Sequence, residues 1–190
     1  MPFVIGIAGG SASGKSTLAG VLEQRLGDLR LAVMHMDDYF KSDNERPVAA
    51  GPVNGKQYLD DNHPLSLDLP KFAADLAALK AENYDVIIAE GLMVLWDDAI
   101  CSMVDLKLFV DCRADERIVR RLRRNMAWGL SFDEIADVYV DLVRFRHDEY
   151  VENSKWRADL IVNGSKQSAQ VIDMIEAAAR SAAKTHSAVR

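Results

Sequence analysis

Gly9-Gly10-Ser11-Ala12-Ser13-Gly14-Lys15-Ser16-Thr17 decides how this 190-residue chain is read. The stretch satisfies G-x-x-x-x-G-K-[ST], and it stands between an apolar run at residues 3–8 and a helical pattern at 15–26 with Leu18, Val21, Leu22 and Leu26 on one face. A strand, a glycine-rich turn and a helix N-terminus in that order make an anion cradle. The glycines let backbone N–H groups turn inward, and the helix dipole adds positive potential. Gly10, Ser11, Ala12, Ser13, Gly14, Lys15, Ser16 and Thr17 are the expected phosphate contacts, with Lys15 reaching the β- and γ-phosphates and Ser16 ligating Mg²⁺. The fate of the γ-phosphate is left to the rest of the chain. No N-K-x-D segment of the kind that reads guanine occurs, so ATP is the expected nucleotide.

Outward from the cradle, a second β-like run at 31–36 ends abruptly in Asp37, Asp38, Tyr39 and Phe40. Ligands of open α/β sheets bind at such carboxyl ends. Residues 42–57 are polar and carry Pro47, Gly51, Pro52 and Gly55, which predicts a long mobile loop. A helix at 69–82 leads into a buried strand at 85–89 followed at once by Glu90 and Gly91. A strand at 106–111, helices at 115–126 and 132–150, and a strand at 158–162 follow, before Asn163 and Gly164 turn the chain. An alanine-rich helix at 168–184 closes it, and the residues after Thr185 are expected to be disordered. Strands separated by helices predict a doubly wound parallel five-stranded sheet with helices on both faces. One α/β domain is expected to span 1–190, with a small helical lid near 120–135 and an acceptor-side loop near 38–68.

The length fits one domain, and a hydrophobic fraction of 49% supplies an ordinary core. A net charge of −6 gives no basic footprint, which argues against nucleic acid as a partner. Cys101 and Cys112 lack metal spacing and read as reduced packing thiols. With no leader-like N-terminus and no apolar run of membrane-spanning length, a cytoplasmic protein without a membrane partner is expected. A homo-oligomer is left open.

Phosphoryl transfer to a hydroxyl needs a carboxylate near the acceptor, a metal ligand on the phosphate side and positive charge over the developing transition state. Asp37, leaving its strand toward the cradle, is the candidate general base, against a capping role that Asp38 would fill equally well. Glu90 is placed beside Ser16 to hold Mg²⁺ directly or through water. Arg117, Arg120, Arg121, Arg123 and Arg124 crowd one helix. Arginine forks suit phosphate oxygens, and a helix hinged near Gly129 could close over the γ-phosphate; Arg121 and Arg124 are the expected catalytic pair, against a merely solvated face. His35, His63 and His147 have no metal spacing and read as structural or surface groups.

The stretches GIAGGSASGKST, MDDYFK, NHPLSLD, DVIIAEG, DLKLFVDCRADERIVRRLRRN and RHDEYVENSKWRADLIV together resemble the uridine kinase, phosphoribulokinase and nicotinamide riboside kinase superfamily, the uridine kinases above all. The resemblance covers nearly the whole chain. It implies an ATP- and Mg²⁺-dependent kinase of a small-molecule alcohol, with Asp37 as base, Lys15 and Ser16 on phosphate and metal, Glu90 at the Mg²⁺, and Arg121 and Arg124 in the lid. The acceptor would meet Asp37, Tyr39, Asn62 and His63, His63 bordering the sugar pocket. Uridine or cytidine comes first as acceptor, nicotinamide riboside second.

Three departures bear on that acceptor. Asn62 stands where uridine kinases carry a ribose-binding aspartate, leaving Asp60 or Asp61 as substitutes. Between Asp68 and Tyr84 there is room for one helix, so the hairpin with which uridine kinases read the pyrimidine is expected to be missing. Met126-Ala127-Trp128-Gly129-Leu130 replaces the family's Arg-Gly-Arg, and of the two roles open to Trp128, contact with a ligand or packing, packing is the expected one. Two other functions compete. A nucleoside monophosphate kinase would need a second phosphate site, for which residues 42–57 offer Arg46 and Lys56. A regulatory ATP-binding module would use Arg121 and Arg124 as γ-phosphate sensors.

Overall fold

The computed structural model describes residues 1–188, the last three by backbone alone. Two strands, β1 (Phe3–Gly9) and β5 (Val86–Glu90), are almost entirely buried. Their unbroken apolar runs reflect cover on both faces, as parallel sheets require. Around them lie β2 (Leu31–His35), β6 (Leu106–Asp111) and β7 (Leu160–Asn163), giving an all-parallel sheet in the order β2-β5-β1-β6-β7.

The period-2 alternation of the strands divides the core in two. Val4, Ala8, Ile87, Ala89 and Phe109 face one side, where Phe72 and Leu76 of α2 (Leu69–Ala81) cover them. Ile5, Ile7, Val86, Ile88 and Leu108 face the other, under Leu18, Leu22 and Leu26 from α1 (Lys15–Arg25) and its end, and Ile172, Ile175 and Ala179 from α7 (Ala169–Ala188). Burying a Leu or Phe side chain stabilises by about 1.5–3 kcal/mol. Asp68 caps α2 by accepting from the Lys71 amide at 3.0 Å. Cys101 and Cys112 are free and buried, as expected of packing thiols.

The structure departs from the expected elements in four places. Residues 42–57 are not a plain loop, for β3 (Val48–Ala50) and β4 (Gln57–Leu59) form a short antiparallel hairpin. A short helix, α3 (Asp98–Cys101), follows β5, capped by Asp97. The arginine helix α4 (Ala114–Ala127) is followed not by one regular helix but by α5 (Phe132–Val138), a π-helical stretch Tyr139–Val143, α6 (Arg144–Arg146), a second π-helical stretch His147–Val151 and a 3₁₀ stretch Glu152–Arg157. Helix α7 runs to Ala188, past the expected end at Lys184, so of the expected disordered tail only residues 189–190 lie outside the described residues. Nothing but α2 and its flanking turns separates Asp68 from β5, so the pyrimidine-reading hairpin is missing there as expected. No helix of the described residues is long and apolar enough to cross a membrane.

Candidate active site

The carboxyl ends of the strands open into a cleft of about 820 Å³. The cradle forms its floor. Gly14 enters α1 with φ of 107°, a conformation glycine adopts without strain, while Ala12 is held at φ of 63° despite its Cβ. Such a non-glycine outlier is found where the surrounding structure over-determines the backbone. Lys15 is buried and its ammonium donates to the Gly10 carbonyl at 3.2 Å. Burial pulls its pKa below the usual lysine value, against the opposing attraction of Glu90 and Asp37.

Glu90, the last residue of β5, is buried and accepts from the Ser16 hydroxyl at 3.0 Å, while His35 Nδ1 lies 2.9 Å from the same oxygen. That hydrogen bond raises the His35 pKa. Among the described residues no three His, Cys, Asp or Glu side chains gather to hold a metal ion. A cation here would take Ser16, Glu90 and phosphate oxygens, the sparse all-oxygen protein ligation that suits Mg²⁺.

Asp37 stands in a 3₁₀ turn (Met36–Tyr39) directly after β2, and it lines the cleft together with Lys15, Ser16 and Arg124. The carboxylate is open to the cleft, yet loss of hydration lifts its pKa above the usual carboxylate value; Lys15 opposes and Glu90 adds to the rise. Asp61 and Asn62 line the same wall, Asn62 buried. Of the two candidate substitutes for a ribose-binding aspartate, Asp61 faces the cleft, whereas Asp60 is wholly buried and paired with Arg146 at 2.6 Å.

Two expected acceptor residues point elsewhere. Tyr39 leaves the same turn on its far side, stacks edge-on against Phe72 at 4.9 Å and donates to Asp75 at 2.9 Å. His63 caps a 3₁₀ turn, its Nδ1 accepting from the Leu65 amide at 3.1 Å, and packs edge-on against Tyr150 at 5.3 Å. Neither lines the cleft.

On the lid side, Arg121 and Arg124 donate to Ser11 Oγ in the cradle at 3.0 and 3.4 Å. Arg120 donates to the Gly164 carbonyl at 2.9 Å, and the buried Arg117 to the Cys112 carbonyl at 3.0 Å. Arg121 and Arg124 are the expected pair of the arginine stripe, and Arg117 and Arg120 join them on the cradle side. The spacing 117, 120, 121, 124 is itself one helical face, a signal that could have grouped all four. Trp128 does not pack as expected: it is 70% exposed, lines the cleft and carries Arg124 over its ring at 5.0 Å. It is the C-cap residue of α4, past the last turn of the helix.

The model of the phosphoribulokinase / uridine kinase family matches residues 70–170. A uridine kinase of Geobacillus kaustophilus is 32% identical, with 94% of each chain covered. Among solved structures, phosphoribulokinase from Rhodobacter spheroides superposes with a TM-score of 0.60 at 12% identity, over 87% of this chain and 73% of that one. D-glycerate 3-kinase from Cryptococcus neoformans gives 0.59 at 16% identity, over 88% of each. The two likenesses of structure establish the fold.

Proposed function

The chain belongs to the phosphoribulokinase / uridine kinase family and is an ATP-dependent small-molecule kinase, and from that premise we propose that it phosphorylates the 5′-hydroxyl of a ribonucleoside, uridine or cytidine first. The observation that carries the choice of acceptor is the charge of the acceptor wall. Asp37 gives it negative charge, Asp61 is paired with Arg46 at 3.0 Å, and Lys56, the other cation of residues 42–57, is engaged by Asp137 at 2.7 Å. An acceptor that already carried a phosphate would find no free cation on that loop, which speaks against a nucleoside monophosphate. Neutral ribonucleosides fit, and so does nicotinamide riboside, whose ring is cationic.

In this reading Asp37 orients the acceptor hydroxyl and takes its proton as that oxygen bonds to the γ-phosphorus and the bond from the γ-phosphorus to the departing ADP breaks. Asp61 and Asn62 hold the sugar hydroxyls. Lys15, Arg121 and Arg124 neutralise charge on the transferring group. Ser16 and Glu90 would hold Mg²⁺, which would supply positive charge to offset that of the phosphates. The name carried by the curated relatives supports a nucleoside acceptor. The test is a panel of uridine, cytidine, nicotinamide riboside and free sugars with ATP and Mg²⁺. Phosphorylation of a nucleoside is expected; transfer to a free sugar or another alcohol alone would overturn the acceptor while leaving the kinase.

A further inference from the structure

Asp141 is a buried carboxylate that phosphoryl transfer does not use, projecting from the π-helical stretch Tyr139–Val143. Its Oδ1 accepts from the Val53 and Asn54 amides at 2.6 and 3.1 Å, at the tip of the β3–β4 hairpin. Its Oδ2 is buried without a partner, and a methyl group at Gly51 would collide with it. A half-satisfied buried carboxylate is weak evidence for stability, so its value lies in the geometry it fixes.

Two further links run the same way. Lys56 pairs with Asp137 at 2.7 Å, and Arg146 with the wholly buried Asp60 at 2.6 Å. All three join the acceptor segment 47–62 to the helical segment 132–151. At its other end that segment continues through the Gly129 turn into α4, whose Arg121 and Arg124 reach the cradle. Tyr139, in the same π-helical turn as Asp141, donates to the Ala114 carbonyl at the start of α4 at 3.2 Å.

We propose that Asp141 is a positioning residue that makes the acceptor-side hairpin and the arginine helix one body, so that nucleotide drawing in Arg121 and Arg124 also sets the hairpin for the acceptor. This rests on the nucleotide and lid roles read above, and its test needs no knowledge of the acceptor. Hydrogen–deuterium exchange is followed with Mg²⁺ and a non-hydrolysable ATP analogue, comparing residues 10–16 with residues 48–59. In the wild-type protein both segments should gain protection. In Asp141→Ala the gain at 10–16 should persist and the gain at 48–59 should be lost. Asp141→Asn, which keeps a carbonyl oxygen for both amides, should retain most of it. Gly51→Ala, which displaces the carboxylate without removing it, should repeat the loss, and it answers the question if Asp141→Ala does not fold. Equal gains at 48–59 in wild type and Asp141→Ala would overturn the coupling, as would no gain there in wild type. A wild-type protein gaining nothing at 10–16 would instead strike the nucleotide reading, and the coupling would fall with it.

Discussion

Burial and charge pull on the Asp37 proton in opposite directions, and the balance has a visible consequence. Loss of hydration raises the pKa and Lys15 lowers it, with a net rise. A general base works only when deprotonated, so a raised pKa shifts the loss of activity toward higher pH. In the free enzyme kcat/KM should therefore fall, as pH is lowered, through a value above the usual carboxylate range. A pH profile with no such limb would remove Asp37 from the role. Its place in the cleft was legible because it directly follows an apolar strand, where side chains face the ligand edge. Tyr39 was not, although it is only two positions on. In a 3₁₀ turn with three residues per turn, two steps carry a side chain about 240° around, so Tyr39 leaves on a different side from Asp37. His63 was misplaced for a similar reason: its ring is used to cap the next turn.

Among the elements, the lid depends on how its second helix begins. Ser131 and Glu134 form a capping box, the Glu134 amide donating to Ser131 Oγ at 3.3 Å and the Ser131 amide to Glu134 at 2.8 Å. Ser131→Ala should cost about 1 kcal/mol, read by urea denaturation, and a change near zero would show that packing alone holds α5. The main strands and helices were legible because each is long enough to show its period. Each strand of the β3–β4 hairpin is three residues long, too short for alternation to register. The π-helical stretches were invisible for another reason. They preserve helical hydrophobicity while rotating particular residues, and that rotation carries Asp141 to the hairpin tip.

For the whole molecule, the strand order gathers the chemistry at one edge. With β5 between β2 and β1, Glu90 comes to lie between Asp37 and the cradle, while β7 delivers Gly164 and Ser165 from the other side. No single stretch of sequence states that convergence; it follows from the order of crossovers. Because the cradle is built from the folded strand–helix junction, Mg²⁺ and nucleotide should stabilise the fold. An ATP analogue at a hundred times its dissociation constant contributes about 2.7 kcal/mol, which for a chain of this size corresponds to about 5–10 °C in Tm. Chelating the metal with EDTA should shrink that shift, and an equal shift without metal would argue against Ser16 and Glu90 as its holders.

Asp37 and the phosphate cradle line one cleft, the arrangement that direct transfer to a hydroxyl requires. The most direct measurement pairs the turnover of Asp37→Asn, on the acceptor the wild type uses, with its affinity for a non-hydrolysable ATP analogue. In Asp37→Asn kcat should fall by about 10²- to 10⁴-fold while nucleotide affinity is unchanged. Wild-type turnover in Asp37→Asn would contradict it.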